Sequence, residues 1–295
     1  MRKNMLKKIT IVLTGKYKEK IEKSHVYENL QGIVKRNQAQ FQLYETEVFG
    51  EKYKNTEMTA GKSRDEFEGL WICDDAKVLE TLQNAGAFTV AVYHEDVKGL
   101  LSGTQYAVEG LSDIDWEYLN KIYQRYCKVP WEITETKRCK IREMGIEDTD
   151  ALYELYADEQ VTRYTEDLFK DKEQEKRYIE EYVENIYKYY GFGTWLIHRK
   201  EDGVLIGRAG FNYRPGYEEA ELGFIIGYPY WRQGYAYEVC THLLQLGKEV
   251  FEFERVQAFV DKENKASIEL LKKLGFSYKE ETVLDDKKYL RYLYC

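Results

Sequence analysis

Hydrophobic and polar positions fall into two blocks of different rhythm. In the first, unalternated apolar runs are separated by amphipathic stretches. Lys8–Leu13 reads as a strand, Gly15 as a turn and Tyr17–Val34 as a charged helical stretch. No period governs Phe41–Glu66. Leu70–Cys73 is a short apolar run that stops at Asp74-Asp75, and Ala76, Val78, Leu79 and Leu82 then share a helix face that Gly86 ends. Phe88–Tyr93 is β-branched and aromatic, as a strand requires, and Tyr106–Val108 reads as another strand. Trp116, Leu119, Ile122, Tyr123 and Tyr126 mark a further helix. Such alternation predicts a small parallel sheet. Asp74 and Asp75 are expected to form a helix N-cap and an acidic first turn, with a remnant acidic site as the alternative.

The second block begins after Pro130-Trp131, with the polar stretch Glu132–Lys137 expected as the linker. This places an amino-terminal α/β domain at 1–131 and a second domain at 138–295. A strand is predicted at Cys139–Arg142, a helix opened by Asp148 with Leu152, Leu155 and Tyr156 on one face, and a charged helix from Lys172 to Tyr190. Three strands follow, Thr194–His198, Val204–Asn212 and Ala220–Gly227. They are joined by Asp202-Gly203 and Arg214-Pro215-Gly216, turn chemistry suited to antiparallel neighbours. The fold class is therefore α/β in the broad sense: a mixed, mostly antiparallel sheet flanked by helices, preceded by a smaller α/β domain.

Charge narrows the partners. The 44 Lys and Arg against 52 Asp and Glu give a net charge of −8, which repels a phosphate backbone, so nucleic acid is not expected. Arg2, Lys3, Lys7 and Lys8 precede the apolar run Ile9–Leu13, which is too short for a signal core, and no stretch approaches the roughly 18 apolar residues that span a bilayer. A soluble, cytoplasmic protein is expected, with no membrane partner. The five cysteines, Cys73, Cys127, Cys139, Cys240 and Cys295, form no CxxC pair and have no histidine at ligand spacing, so reduced thiols and no metal site are expected.

Candidate chemistry concentrates in ELGFIIGYPYWRQGYAYEVCTHLLQLGKEVF, where an alternating strand enters a glycine-containing loop and then a long apolar-faced helix. Free N–H groups at a helix start, and its macrodipole, favour phosphate oxygens, and Gly234 lets the backbone approach them. An ordinary strand-to-helix turn has the same look. Trp231–Ala236 (WRQGYA) resembles the [QR]xxGx[GA] pyrophosphate loop of the GNAT superfamily of N-acetyltransferases, with Trp231 in place of the first Gln or Arg, a variant similar to the ribosomal-protein-alanine acetyltransferase branch. Downstream, a strand at Arg255–Val260 and then Asn264, Ser267, Leu270, Leu271, Leu274, Gly275 and Phe276 match the family's closing Asn, helix and Gly-Phe. Physically, Asn264 caps a helix with the apolar face Ile268, Leu271 and Leu274, and Gly275 ends it.

The resemblance implies a GNAT fold, acetyl-CoA as cofactor, and an amine-bearing acceptor, either a peptide N-terminus or a small molecule, whose amine attacks the thioester directly in a ternary complex. Carried over, the backbone of Gln233, Gly234, Tyr235 and Ala236 would hold the pyrophosphate with help from Arg232, and Asn264 the pantetheine arm. Phe224, Ile225 and Ile226, on a strand that splays from its neighbour in the family, would meet the pantetheine and the developing oxyanion. Glu221 would be the base, ahead of Glu218 and Glu219; a solvated carboxylate is the alternative for each. Many relatives carry a Tyr acid where this chain has Leu271, and Ser267, one turn earlier, could bond the sulfur instead. Tyr153, Tyr156, Tyr164 and Trp195 would wall the acceptor or fill the core. The oligomeric state is left open, with a homodimer as one alternative. The rival class is a non-catalytic CoA-binding regulatory or interaction module. In the amino-terminal block, LWICDDAKVLETLQNAGAFTVAV and YAVEGLSDIDWEYL resemble part of a haloacid-dehalogenase-like fold, but Ile9–Gly15 holds no aspartate, so phosphoryl transfer has no nucleophile there.

Overall fold

The computed structural model describes residues 5–53, 67–97, 99, 101–112 and 114–295. Arg2 and Lys3 of the basic opening, and 54–66 of the stretch without a period, lie outside them. The chain divides into two units, Met1–Val129 and Pro130–Cys295.

The first unit contains β1 (Lys8–Leu13), α1 (Gly15–Glu22), α2 (His25–Arg36), β2 (Gln40–Glu45), α3 (Thr46–Tyr53), β3 (Leu70–Cys73), α4 (Ala76–Asn84), β4 (Phe88–Tyr93), β5 (Ala107–Glu109) and α5 (Trp116–Tyr126). All five strands are parallel, in the order β2-β1-β3-β4-β5. The unalternated apolar runs of β1, β3 and β4 are explained by burial on both faces. Ile9, Ile11 and Leu13 of β1 enter one core cluster and Val12 the other. The single helix expected over Tyr17–Val34 is two, because Ser24 leaves helical geometry, donates to the carbonyl of Ile21 (2.7 Å) and accepts from the N–H of Val26. Asp75 caps α4 by accepting from the N–H groups of Lys77 and Val78, both at 3.0 Å, but the helix has no acidic first turn. Asp74 instead is buried at the carboxyl end of β3, where it accepts from the backbone N–H (2.9 Å) and hydroxyl (2.7 Å) of Thr14 and lies 3.0 Å from His94 Nε2.

The second unit begins with a correction. The expected linker is β6 (Glu132–Glu135), an edge strand antiparallel to β7 (Cys139–Arg142). Its solvent-facing position explains the polar composition that reads as a linker. There follow α6 (Thr149–Tyr156), α7 (Glu159–Thr162) and α8 (Lys172–Tyr182), which passes through a π-helical segment, Val183–Tyr187, into α9 (Lys188–Tyr190). Asp148 does not cap α6; its carboxylate accepts from the N–H of Gly145 at 2.8 Å and pairs with both terminal nitrogens of Arg142. The meander is β8 (Thr194–Arg199), β9 (Leu205–Tyr213) and β10 (Ala220–Ile226), and then come α10 (Tyr235–Glu249), β11 (Val256–Val260), α11 (Lys265–Leu274), β12 (Ser277–Leu284) and β13 (Lys287–Tyr294).

Eight strands form one sheet in the order β12-β13-β11-β10-β9-β8-β7-β6, antiparallel except for β10 beside β11. The expected mixed, mostly antiparallel sheet is borne out. Directly opposed residues project to the same face of a sheet. Leu196, Arg208 and Ile225 are opposed, and Arg208 reaches Tyr156 of α6, so this face lies under α6. Phe211 projects to the other face, where it packs close to Gly247 of α10. Tyr235, Val239, Cys240, Leu243 and Leu244 form the buried stripe of α10. No described helix is long and apolar enough to cross a membrane.

Candidate active site

The central feature is a gap in the sheet. β10 is paired with β9 along its whole length, from Ala220 opposite Tyr213 to Ile226 opposite Gly207. With β11 it is paired only at Ala220 with Val256 and Glu221 with Gln257. From Leu222 onward the edge of β10 that faces β11 has no strand partner among the described residues, so edge-facing backbone groups of the segment carrying Phe224, Ile225 and Ile226 are left for something other than the sheet. Because β10 and β11 are parallel, their carboxyl ends open at the same end of the sheet. There α10 starts after one strand and α11 after the other, the arrangement in which parallel strands bind ligands.

The loop between β10 and α10 is pinned from within. Trp231 Nε1 donates to the carbonyl of Ile226 (2.6 Å) and Gln233 Nε2 to that of Pro229 (2.8 Å), so both side chains are tied to the loop's own backbone. Arg232 and Gly234 both take the left-handed conformation, with φ of 59° and 82°. Left-handed residues within a turn aim successive amide N–H groups into an anion-binding concavity. No described side chain caps α10, and among the described residues no acceptor meets the N–H groups of Gln233, Gly234, Tyr235 or Ala236. The Arg232 side chain is exposed and makes no ion pair with a described residue.

The sequence reading missed Arg138. Its Nη1 donates to the carbonyl of Gln233 (3.0 Å), its Nε pairs with Glu238 (2.6 Å), and the guanidinium stands 4.1 Å over the Tyr235 ring. Burial pushes the Glu238 carboxyl up, but bonds from Thr136 and Arg138 outweigh this and hold it below its ordinary range. The first-turn carboxylate of α10 is thus neutralised by Arg138, and the guanidinium sits at the loop. Its place at the end of a polar stretch nearly 100 positions from the loop gave no local signal.

Glu221 sits where β10 and β11 part. It faces the same side of the sheet as Asn212, directly opposite on β9. Its two oxygens accept from Arg214 Nε (2.7 Å) and Nη2 (3.3 Å), and this bond raises the Arg214 guanidinium above its ordinary value. The carboxylate is therefore oriented rather than freely solvated. Glu219 is held by Arg255 and Arg291, and Glu218 is exposed. Across the gap, Asn264 caps α11 by accepting from the N–H of Ser267 at 3.1 Å, as expected. Ser267 is half-buried, and its hydroxyl has no partner among the described residues. Leu271 is core. The Cys240 thiol is fully buried and pushed up by desolvation, which suits packing and not acyl transfer.

The expected acceptor wall divides. Trp195 is buried against Phe211 and Phe251, on the α10 face. Tyr153 donates to the carbonyl of Phe169, Tyr164 to that of Glu263 (3.3 Å), and Tyr156 accepts from Arg208 (3.2 Å). Tyr156 and Arg208 thus meet over the face that carries Glu221. The 224–226 segment, the 232–236 loop and the Asn264–Ser267 turn lie at or just after the carboxyl ends of the parallel neighbours β10 and β11, and Glu221 occupies their last paired position.

Comparison with known proteins agrees with this geometry. Residues 138–277 match the model of the acetyltransferase (GNAT) domain. The chain is 31% identical over 146 residues to the uncharacterized N-acetyltransferase YoaA of Bacillus subtilis (strain 168), covering 49% of this chain and 82% of that protein. It is also 31% identical over 159 residues to the uncharacterized N-acetyltransferase p20 of Bacillus licheniformis, covering 53% of this chain and 88% of that one. A crystal structure of a GNAT-family acetyltransferase from Bacillus anthracis aligns at 21% identity and a TM-score of 0.45, over 54% of this chain and 94% of the other. GNAT acetyltransferases use acetyl-CoA as the acetyl donor. Through its carboxy-terminal half, the chain belongs to the GNAT family of N-acetyltransferases and is an acetyltransferase.

Proposed function

We propose that this protein transfers an acetyl group from acetyl-CoA to a primary amine by direct attack in a ternary complex, the cofactor lying in the gap between β10 and β11. The observation that carries the reading is that gap: β10 loses β11 after Glu221 and leads directly into an uncapped, left-handed entry to α10. The N–H groups of Gln233, Gly234, Tyr235 and Ala236 hold the pyrophosphate, with Arg232 and Arg138 supplying positive charge. The unpaired edge at Phe224, Ile225 and Ile226 takes the pantetheine and stabilises the oxyanion that forms as the amine attacks the thioester carbon. Asn264 bonds the arm from the opposite side.

In this mechanism Glu221 accepts the proton lost by the amine, directly or through a water, while Arg214 fixes its orientation. The C–N bond forms, the tetrahedral intermediate collapses with cleavage of the C–S bond, and the thiolate leaves towards the Ser267 hydroxyl. The acceptor is a protein N-terminus, as in the ribosomal-protein-alanine branch that Trp231 and its loop resemble, or a small amine. The amino-terminal unit, although it resembles a haloacid-dehalogenase-like fold, does no phosphoryl transfer on this reading: β1 lacks an aspartate, and Asp74 is taken up by Thr14 and His94.

A thiol-release assay with acetyl-CoA and a panel of amines tests the proposal. Glu221→Gln is expected to lower kcat by about 10²- to 10⁴-fold, the usual worth of a general base, with acetyl-CoA affinity unchanged. Full activity in that variant would remove Glu221 from the mechanism. Acetyl-CoA binding without turnover of any amine would favour the non-catalytic module instead.

A further inference from the structure

Arg208 is the charge on the acceptor side that the mechanism above does not use. It projects from the middle of β9, directly opposite Ile225 of the cofactor segment, on the same sheet face as Glu221. In an antiparallel pair, opposed Cα atoms are only about 5 Å apart, so the guanidinium rises beside the place where the thioester is proposed to lie. It is set among tyrosines: Nη1 donates to the Tyr156 hydroxyl at 3.2 Å, and the guanidinium carbon lies 6.0 Å from the centre of that ring. Among the described residues its buried Nε–H has no acceptor, and Arg208 makes no ion pair. Arg138, Arg142, Arg199, Arg214 and Arg291, by contrast, each hold a carboxylate.

A buried cation without a counter-ion is costly, and a guanidinium with unused donors matches the planar, two-oxygen geometry of a carboxylate. Glu175 and Asp167 both stand near enough to Tyr156 to raise its phenol, but neither pairs with Arg208. Glu175 of α8 is 2% exposed and accepts from the N–H of Phe169 at 3.0 Å, not from Arg208. Tyr156 senses both groups: burial raises its phenol, Arg208 pulls it down and Glu175 pushes it up. Beneath α6 and α8, Arg208 is thus bonded to Tyr156 and Glu175 to the N–H of Phe169, and neither is bonded to the other.

We propose that the acceptor is a small amine that also carries a carboxylate, an amino-acid-type zwitterion, with Arg208 binding the carboxylate while the amine faces the thioester. This rests on the acetyl-transfer reading above. It also sets a selection rule, because a polyamine would bring a second positive charge against Arg208 and be rejected by repulsion as well as by a lost contact.

The product-like probes N-acetylglycine and N-acetylglycinamide differ at the group Arg208 would read. Each is titrated into the intact chain in the presence of saturating CoA and followed by ligand-observed NMR, with acetyl-CoA affinity measured separately. The carboxylate probe is expected to bind about tenfold or more tightly than the amide, the usual return of charge-assisted hydrogen bonds. That ratio should fall to near one in Arg208→Gln and in part in Tyr156→Phe, which removes only the hydroxyl that steadies the guanidinium. Acetyl-CoA affinity should be the same in all three proteins, which also verifies their folding. Equal behaviour of the two probes with the native chain, or a preference that survives Arg208→Gln, overturns the proposal while leaving acetyl transfer intact. Failure of the native chain to bind acetyl-CoA overturns the enzymatic reading and this proposal with it.

Discussion

Replacing Gly234 by alanine separates two roles that the loop asks of one residue. Gly234 has a φ of 82°, and a Cβ built on it would meet Arg138 Nη2 at 3.6 Å, an ordinary van der Waals distance. The substitution therefore costs the backbone term alone, about 1–2 kcal/mol for an L-residue in the left-handed region, or a fall in melting temperature of about 2–8 °C for a domain of this size. The methyl group also stands among the free N–H groups of the loop. A pyrophosphate pushed back by its bulk loses one charge-assisted hydrogen bond, worth about 1.5–3 kcal/mol, so acetyl-CoA affinity should fall about 10- to 150-fold. Gly216 is the matched control, since it has a φ of 87° and nothing within 4 Å of its hypothetical Cβ. Gly216→Ala should lower stability by a similar amount and leave affinity unchanged. Titration calorimetry and thermal melts of the two variants decide the matter. Equal affinity in Gly234→Ala and the native protein, with only the melting temperature lowered, would refute the claim that this glycine is there for the phosphates.

Other outcomes follow from the same structure. Arg138→Gln should weaken acetyl-CoA binding and steepen its fall with added salt less than the native protein does, because a positive charge at the loop is gone; unchanged affinity at low salt would remove Arg138 from the site. His198 is held below its ordinary value of 6.5, chiefly by burial and then by the nearby Arg142, and its buried Nε2 has no partner among the described residues. The unfolded chain therefore takes up a proton more readily, so the stability contributed by neutral His198 is complete above about pH 6.5 and is lost as pH falls from there through its lower folded value. Denaturant melts at pH 7 and pH 5 should show a smaller acid loss in His198→Gln than in the native protein, and an equal loss would contradict this. Burial raises the thiols of Cys73, Cys139 and Cys240, so an alkylating reagent should label exposed Cys295 in the folded protein and reach those three only on unfolding. Mass mapping of the labelled peptides checks it.

Legibility in the sequence followed locality. The loop at Gly234, the Asn264 cap and the strands of the meander are set by neighbours in the chain, so turn residues and apolar spacing revealed them within a residue or two. Asp75 was readable as a cap for the same reason. Asp74 was not, because what determines its role, Thr14 and His94, comes from the ends of other strands. Glu132–Glu135 has the composition of a linker because an edge strand is wetted much as a linker is, and only its pairing with β7 distinguishes them. The parting of β10 from β11 leaves no mark in the alternation of β10, whose residues keep their faces whether or not an edge is paired. Arg138 and Arg208 were invisible for a related reason: each sits at or near a strand, far along the chain from the groups it touches, and nothing in its own neighbourhood distinguishes it from a surface arginine.

The central claim is that acetyl-CoA lies in the gap between β10 and β11 with its pyrophosphate on the start of α10. Hydrogen–deuterium exchange of the intact protein with and without acetyl-CoA measures this at the amides concerned. The account predicts strong slowing at Phe224 and Ile226, whose N–H groups face the unpaired edge, and across Gln233–Ala236, with little change in the first unit. Unaltered exchange in both segments at a saturating concentration of acetyl-CoA, or protection confined to another part of the chain, would contradict it.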